Sequence, residues 1–442
     1  MMDRRSVALI HAARADLLDR VGGDRVLVAT AARDAAGGGE GEEPVAVVRP
    51  ADERDVSTVL RVGRARHLPV LVRSRLPLRR TEGLRGAIVL DCSSLDRPPA
   101  IDISRRVVTV GVAGSLAAVD RAARRARLCV RSLPAFAEDE PIGAWIGAGE
   151  GGEIGLGAGE LAADLVSATV VAGSGRVLIV GASELVGHPP WALGGQPDVT
   201  GLLVGAEGRL AVLVDVTLRL WPSPWVGWSH SEVATGRATV LGVLSAGRIA
   251  LQRRLASSVL LEEIGATATL AVQASTLRDE EDLVATQARI AATFERLGLS
   301  LATFVAEEPR SRIGQTQGVS PRVRQSGGDV FDLRMSWPDA PKVLDVIDAL
   351  AGGGGAPVHR QWALGDACVR LRLSVAGGEL DRHPLGQGVR HLLDAGAVPM
   401  RASGALRELM RERMPSTSKV LMAALSRVWD PDDVLSTGRG LL

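Results

Sequence analysis

Apolar residues along the chain alternate between helical and strand spacing. Val7 to Val21 has helical spacing, and Gly37 to Glu43 then reads as a flexible connector. Pro44 to Pro50 is a short strand, and Asp52 is placed to cap a helix from Glu53 to His67 with Val56, Val59, Leu60 and Gly63 on one face. Strands at Pro69 to Arg73 and Gly86 to Asp91 follow, so the opening is an α/β unit. Val108 to Val112 reads as a strand and Ser115 to Leu128 as an amphipathic helix. Leu165 to Ala172 leads into a hairpin at Gly173 to Gly175.

The sharpest pattern runs from Thr200 to Pro224. An apolar run turns through Gly205 and Gly208, and Val212, Val214, Val216, Leu218 and Leu220 then occupy alternate positions. That is a buried strand leaving a tight glycine turn, where backbone without Cβ atoms can press against a flat ligand. Beyond it, helices at Ala238 to Leu255, Glu280 to Leu297 and Lys342 to Leu350 alternate with strands at Thr267 to Gln273, Ala302 to Glu307 and Val330 to Trp337. This βαβ-like alternation describes a second α+β region.

Composition narrows the chemistry. The 442 residues suffice for two or three domains, and no apolar run is long enough to span a bilayer. The N-terminal apolar run is too short for a secretory signal, so a cytoplasmic protein is expected. Cys92, Cys129 and Cys368 lack metal-ligand spacing and fit a reducing compartment. With 52 basic against 51 acidic residues, global charge points to neither nucleic acid nor an anionic membrane. Lys342 and Lys419 are the only lysines, and the arginine, alanine and glycine content reads as a GC-rich coding bias. Tyrosine is absent, which excludes a phenol as base or proton donor.

The order of the motifs resembles one family. Gly201, Leu202, Gly205, Glu207, Gly208, Leu210, Leu218, Leu220, Pro222 and Pro224 fall in register with the signature of FAD-linked oxidases that carry a vanillyl-alcohol-oxidase or PCMH-type FAD-binding domain. D-lactate and glycolate dehydrogenases belong to that family. Pro44, Val47, Pro50, Asp55 and Val56 match its opening, Ile142, Gly143, Ile146, Gly151 and Gly152 its flavin stretch, and Asp430, Pro431, Leu435, Gly438 and Arg439 its close.

The resemblance implies an α+β fold: a two-subdomain PCMH-type FAD-binding domain at 44–224 and a ferredoxin-like α+β cap or substrate domain at 225–407. Residues 1–43 form an N-terminal helix and linker, and 408–442 return to the FAD domain. It further implies noncovalent FAD held by Arg73, Ser74, Arg75, Ile142, Gly143, Ile146, Gly147, Gly151, Gly152, Glu207, Gly208, Leu210 and Val212, with no metal. The expected reaction is oxidation of a small 2-hydroxy acid or similar alcohol.

Departures from the family pattern are concentrated in its chemistry. The glycine loop expected after Arg73 is an arginine-rich segment containing Pro77, where the missing N–H removes a phosphate donor. The stretch from Gly143 to Gly159 reads as a loop that is either a loosened flavin cradle or simply flexible. Ala363 and Arg370 stand where the dehydrogenases carry histidines. Arg370, Arg372 and His359 are the remaining candidates for substrate contact: a guanidinium can grip a carboxylate, and an imidazole can move a proton. The alternative is a non-catalytic homologue that has lost FAD and serves as a structural or regulatory subunit beside a partner flavoprotein or electron-acceptor subunit.

Overall fold

The structure, a computed structural model, describes residues 4–36, 43–73, 84–133, 140–149, 161–181, 199–206, 208–307, 330–351, 358–365, 368–375, 388–399, 412–413 and 415–435. The first layer is a four-stranded sheet, β1 (Val26–Val28), β2 (Ala46–Val48), β3 (Val70–Arg73) and β4 (Ile88–Asp91), in the order β1-β2-β4-β3. Strands β2 and β3 both pair parallel with β4, while β1 is antiparallel at the edge. Helices α1 (Arg4–Val21), α2 (Ala29–Ala36) and α3 (Glu53–Ala65) accompany it. Asp52 caps α3 by accepting from the amides of Arg54 and Asp55, and Val56, Val59 and Leu60 are fully buried on its inner face.

A five-stranded antiparallel sheet follows: β5 (Ala100–Asp102), β6 (Val107–Gly111), β8 (Leu165–Ala172), β9 (Val177–Gly181) and β10 (Ala211–Arg219), in the order β5-β6-β10-β8-β9. Strand β10 lies at its centre, pairing with β6 on one side and β8 on the other. Helices α4 (Leu116–Arg125), α5 (Ile142–Ala148) and α6 (Leu161–Asp164) belong to this layer, as does the small pair β7 (Leu128–Cys129) with β11 (Trp221–Pro222). One apolar core joins both layers and takes in Trp429, Val434 and Leu435 from the end of the chain.

The second core belongs to an eight-stranded antiparallel sheet. Its elements are β12 (Trp225–Val233), α7 (Arg237–Gln252), β13 (Ala256–Ile264), β14 (Thr267–Thr276), α8 (Glu280–Glu295) and β15 (Val305–Glu307), then β16 (Val330–Ser336), α9 (Ala340–Ala351), β17 (Val358–Leu364), β18 (Cys368–Val375), α10 (Val389–Asp394) and β19 (Val398–Pro399). The strand order is β15-β12-β14-β13-β17-β18-β16-β19. Each half is a βαββαβ unit with ferredoxin-like strand order, and the two meet edge to edge at the β13–β17 pair. Helix α11 (Ser416–Trp429) then leads back to the first core.

Two expectations need correction. The stretch from Gly143 does not begin as a loop: Ile142, Trp145 and Ile146, at helical spacing, are fully buried and hold α5 as a helix through Ala148. The strand expected from Ala302 starts only at Val305. Among the described residues no helix is long and apolar enough to cross a membrane, and no His/Cys/Asp/Glu group has metal-binding geometry.

Candidate functional site

The glycine turn before β10 is the junction of the first core. Gly208 has φ +75°, and a Cβ there would stand 2.9 Å from Cβ of Val72, the next-to-last residue of β3. On the other side, the Gly205 and Gly149 amides both donate to the Ile146 carbonyl at 2.9 Å. A Cβ on Gly149 would stand 3.0 Å from Cα of Gly205. The turn is thereby wedged between the end of β3 and the end of α5, and a side chain at either contact would push them apart. Arg73 sits at the carboxyl end of a parallel strand, the side of an α/β sheet where ligands bind.

Of the residues expected to hold FAD, Arg73, Ile142, Gly143, Ile146, Gly147, Gly208, Leu210 and Val212 lie on this junction or on the elements it joins. Ser74, Arg75, Gly151, Gly152 and Glu207 lie outside the described residues, as does most of the arginine-rich segment. Leu210 and Val212 are buried in the core at the start of β10 and act as its wall.

The hydrogen bonds decide what this junction offers. At the start of α5, the Ile142 and Gly143 amides donate to the carbonyls of Gly114 and Val112 at 2.9 Å, while Ala144 and Trp145 donate to Pro141. These amides close the backbone rather than face a ligand. Arg73 Nη1 donates to the Val72 carbonyl at 2.8 Å. The Trp145 indole N–H, in contrast, is buried without a partner, which is costly unless a ligand or water accepts it. The close glycine contacts are made within the chain, and it is the orphaned donor that fits a group bearing acceptors, as FAD does. The α5 amides do not supply its phosphate contacts.

The substrate candidates stand on the eight-stranded sheet and have partners within the chain. Arg370 Nε donates to Asp332 Oδ1 at 2.6 Å, its Nη2 reaches Oδ2, and Arg372 Nη2 lies 3.3 Å from the same Oδ2. Burial works to raise the Asp332 carboxyl, but the charge and hydrogen bonds of Arg370, helped by Arg372, overcome it and lower it from 3.8 to about 2. His359 Nε2 lies 2.9 Å from Glu262 Oε1. Asp332 and Glu262 escaped sequence reading because each lies far along the chain from its partner. His230 and Ser258 escaped it because they sit on strands the hydrophobic pattern did not reveal, and Gln273 because it closes a strand read for its apolar residues.

Residues 44–181 match the family model for the FAD binding domain. D-lactate dehydrogenase from Archaeoglobus fulgidus is 29% identical over 187 residues, which are 41% of this chain and 39% of that protein's length. The chain therefore spans well under half of this relative. Among solved structures, p-cresol methylhydroxylase has TM-score 0.74 at 14% identity, covering 97% of this chain and 96% of that one. The 4-ethylphenol oxidase from Gulosibacter chungangensis has TM-score 0.71 at 13% identity, covering 96% and 95%. The 6-hydroxy-D-nicotine oxidase from Arthrobacter nicotinovorans has TM-score 0.65 at 15% identity, covering 90% and 92%.

The chain thus shares the mixed α+β fold of these solved structures, and its residues 44–181 match an FAD binding domain. The match to the FAD binding domain family is confined to that segment, and D-lactate dehydrogenase is a distant homologue of part of the chain.

Proposed function

We propose that the chain is an FAD-dependent oxidoreductase that oxidises a small 2-hydroxy acid or similar alcohol, with noncovalent FAD in region 44–224, substrate under the cap of region 225–407, and the cytoplasm as its compartment. The observation that carries this reading is the convergence of β3 and α5, both inside the matched FAD binding domain, on the Gly205–Gly208 turn that follows it. Bound FAD supplies the two-electron acceptor that the side chains lack. The protein's own part is to let the cofactor approach the backbone at Gly205, to present the Trp145 indole N–H, and to exclude water with the wall of Leu210 and Val212. Arg73, at the carboxyl end of β3, supplies positive charge for a diphosphate.

The specific observation favouring a second reading, a subunit without turnover, is that Arg370, Arg372 and His359 are all engaged by carboxylates of this chain. The visible absorption spectrum of the purified protein, before and after incubation with FAD and removal of the excess, separates the two. Flavin bands that persist, and bleach when a reducing substrate is added, are the expected result. A colourless protein that retains no FAD overturns the oxidoreductase reading. Gly208→Val, which sets a branched side chain against Val72 at positive φ, is expected to abolish retention.

A further inference from the structure

The eight-stranded sheet has one face under its helices and one face turned away from them. Val259, Leu261, Leu270 and Val272 share the core with α7 and α8, so the alternate residues of the same strands occupy the other face. That second face is polar yet buried: Ser258 and Gln273 have no exposure. The two are paired across β13 and β14, and Gln273 is paired in turn with Trp228 of β12. In the next row His230 stands opposite Ala271, Ala271 opposite Leu260, and Leu260 opposite Ala363. A row of small and apolar side chains thus lies beside a row of polar ones.

Three polar atoms of this patch are buried with no hydrogen-bond partner: Ser258 Oγ, Gln273 Nε2 and His230 Nδ1. Gln273 Oε1 accepts from Ser257 at 2.7 Å, which fixes the amide and leaves its NH₂ unpaired. The His230 ring is stacked on Trp228, with centroids 5.7 Å apart, which fixes the imidazole. One orphaned buried group is ordinary; three on adjacent strands of one sheet face, two of them held in place by neighbours, describe a place built for something absent. All three are neutral, since burial lowers the His230 pKa below its ordinary 6.5. Further along the face Glu262 is engaged with His359, and Asp332 with Arg370 and Arg372; Arg334, opposite Arg370, lies beyond them on the second unit.

We propose that Ser258, Gln273 and His230 form the substrate-recognition site of the oxidoreductase, and that its ligand is an uncharged hydroxy compound, such as an alcohol or hydroxy-amide, rather than a carboxylate. This deepens the oxidoreductase reading and rests on it only in calling the ligand a substrate. The Gln273 NH₂ donates to a carbonyl or hydroxyl oxygen of the ligand. The Ser258 hydroxyl and His230 Nδ1 exchange hydrogen bonds with the ligand's hydroxyl. A carboxylate in the same place would lose its hydration, and among the described residues of β12, β13 and β14 on this face no cation stands beside it.

D-lactamide and D-lactate test this directly, because they share one heavy-atom framework and differ in charge. The full chain, labelled at its seven histidines, incubated with FAD and freed of the excess, is titrated with each while the imidazole signals are followed by NMR; His230→Gln assigns the signal. The expected result is that lactamide shifts the His230 signal at a concentration about tenfold lower than lactate does. Ser258→Ala and Gln273→Met are each expected to weaken lactamide about tenfold while the other histidine signals stay in place. Preference for lactate overturns the proposal, as does a His230 signal that ignores both compounds, which would assign the orphaned atoms to buried water. The absorbance of the same sample reports flavin separately. A colourless protein that binds lactamide keeps the site and sinks the oxidoreductase reading, and a yellow protein blind to lactamide does the reverse.

Discussion

The two βαββαβ units of the eight-stranded sheet follow the same path and treat polar groups on their uncovered face in opposite ways. In the second unit, β16 and β18 place Asp332 opposite Arg372, with Arg370 two residues along, and the carboxylate holds both guanidinium groups. In the first unit, β12, β13 and β14 carry His230, Ser258 and Gln273, neutral groups with unpaired atoms. Charge buried within a sheet is tolerated when compensated on the next strand, and once compensated it serves as structure. Neutral groups are cheaper to leave unpaired and are what remains free to bind. The duplicated scaffold separates support from recognition.

Removing Asp332 breaks that comparison most severely. Asp332→Ala leaves Arg370, with a side chain 7% exposed, without its principal counter-charge, and is expected to cost about 3–5 kcal/mol in urea unfolding. The pH dependence has a definite sign. The folded-state pKa of Asp332 is lowered from 3.8 to about 2, so its contribution is fully present above the ordinary value and disappears as pH falls from about 4 to 2. Roughly 2 kcal/mol is expected to be lost over that window, and the Asp332→Ala variant should lack this component. An unchanged acid profile would show that the carboxylate does not carry the second unit.

How much of this was legible beforehand depends on where the polar residues sit. The Asp52 cap, the glycine turn and β10 were readable because their signals are local: a capping side chain, two glycines, a run of buried valines. Strands β12, β13, β17 and β18 were not, because a buried polar face removes the apolar–polar contrast on which strand patterns depend. In β12 even the other side is polar, with Ser229 donating to the Ala302 carbonyl and Ser231 accepting from its amide. Arg370 and Arg372 were read as substrate contacts because their type suits a carboxylate. That Asp332 already holds them is a fact of β16–β18 register, which no local spacing carries. The helix α5 was hidden by its glycines, which favour a loop until Ile142, Trp145 and Ile146 find a core.

The seam between the units gives an intermediate effect. Glu262 of β13 and His359 of β17 meet across it, and the neighbouring Glu263 Oε2 accepts from the Trp362 indole at 3.3 Å. Glu262→Ala is expected to cost about 1–3 kcal/mol by depriving the half-buried His359 of its acceptor. Glu262→Gln, which keeps an acceptor in place, should recover most of that loss. Equal losses from both substitutions would mean that charge, rather than hydrogen bonding, joins the halves.

The smallest effect has the opposite sign and is the most discriminating. Ser258 Oγ is buried and unpaired, so Ser258→Ala removes a desolvated hydroxyl without breaking a bond. Replacing such a group with an apolar one of similar shape is neutral or favourable, and a change between zero and about +1 kcal/mol in unfolding stability is expected, with Gln273→Met close to zero because it also gives up the bond from Ser257. If Ser258→Ala instead destabilises the free protein by more than about 1 kcal/mol, the hydroxyl has a partner in the folded chain and the first unit, like the second, is supporting structure. If it leaves the fold as stable or more so while weakening lactamide, the unpaired groups of the first unit are kept for binding at the expense of stability, which is how recognition sites differ from cores.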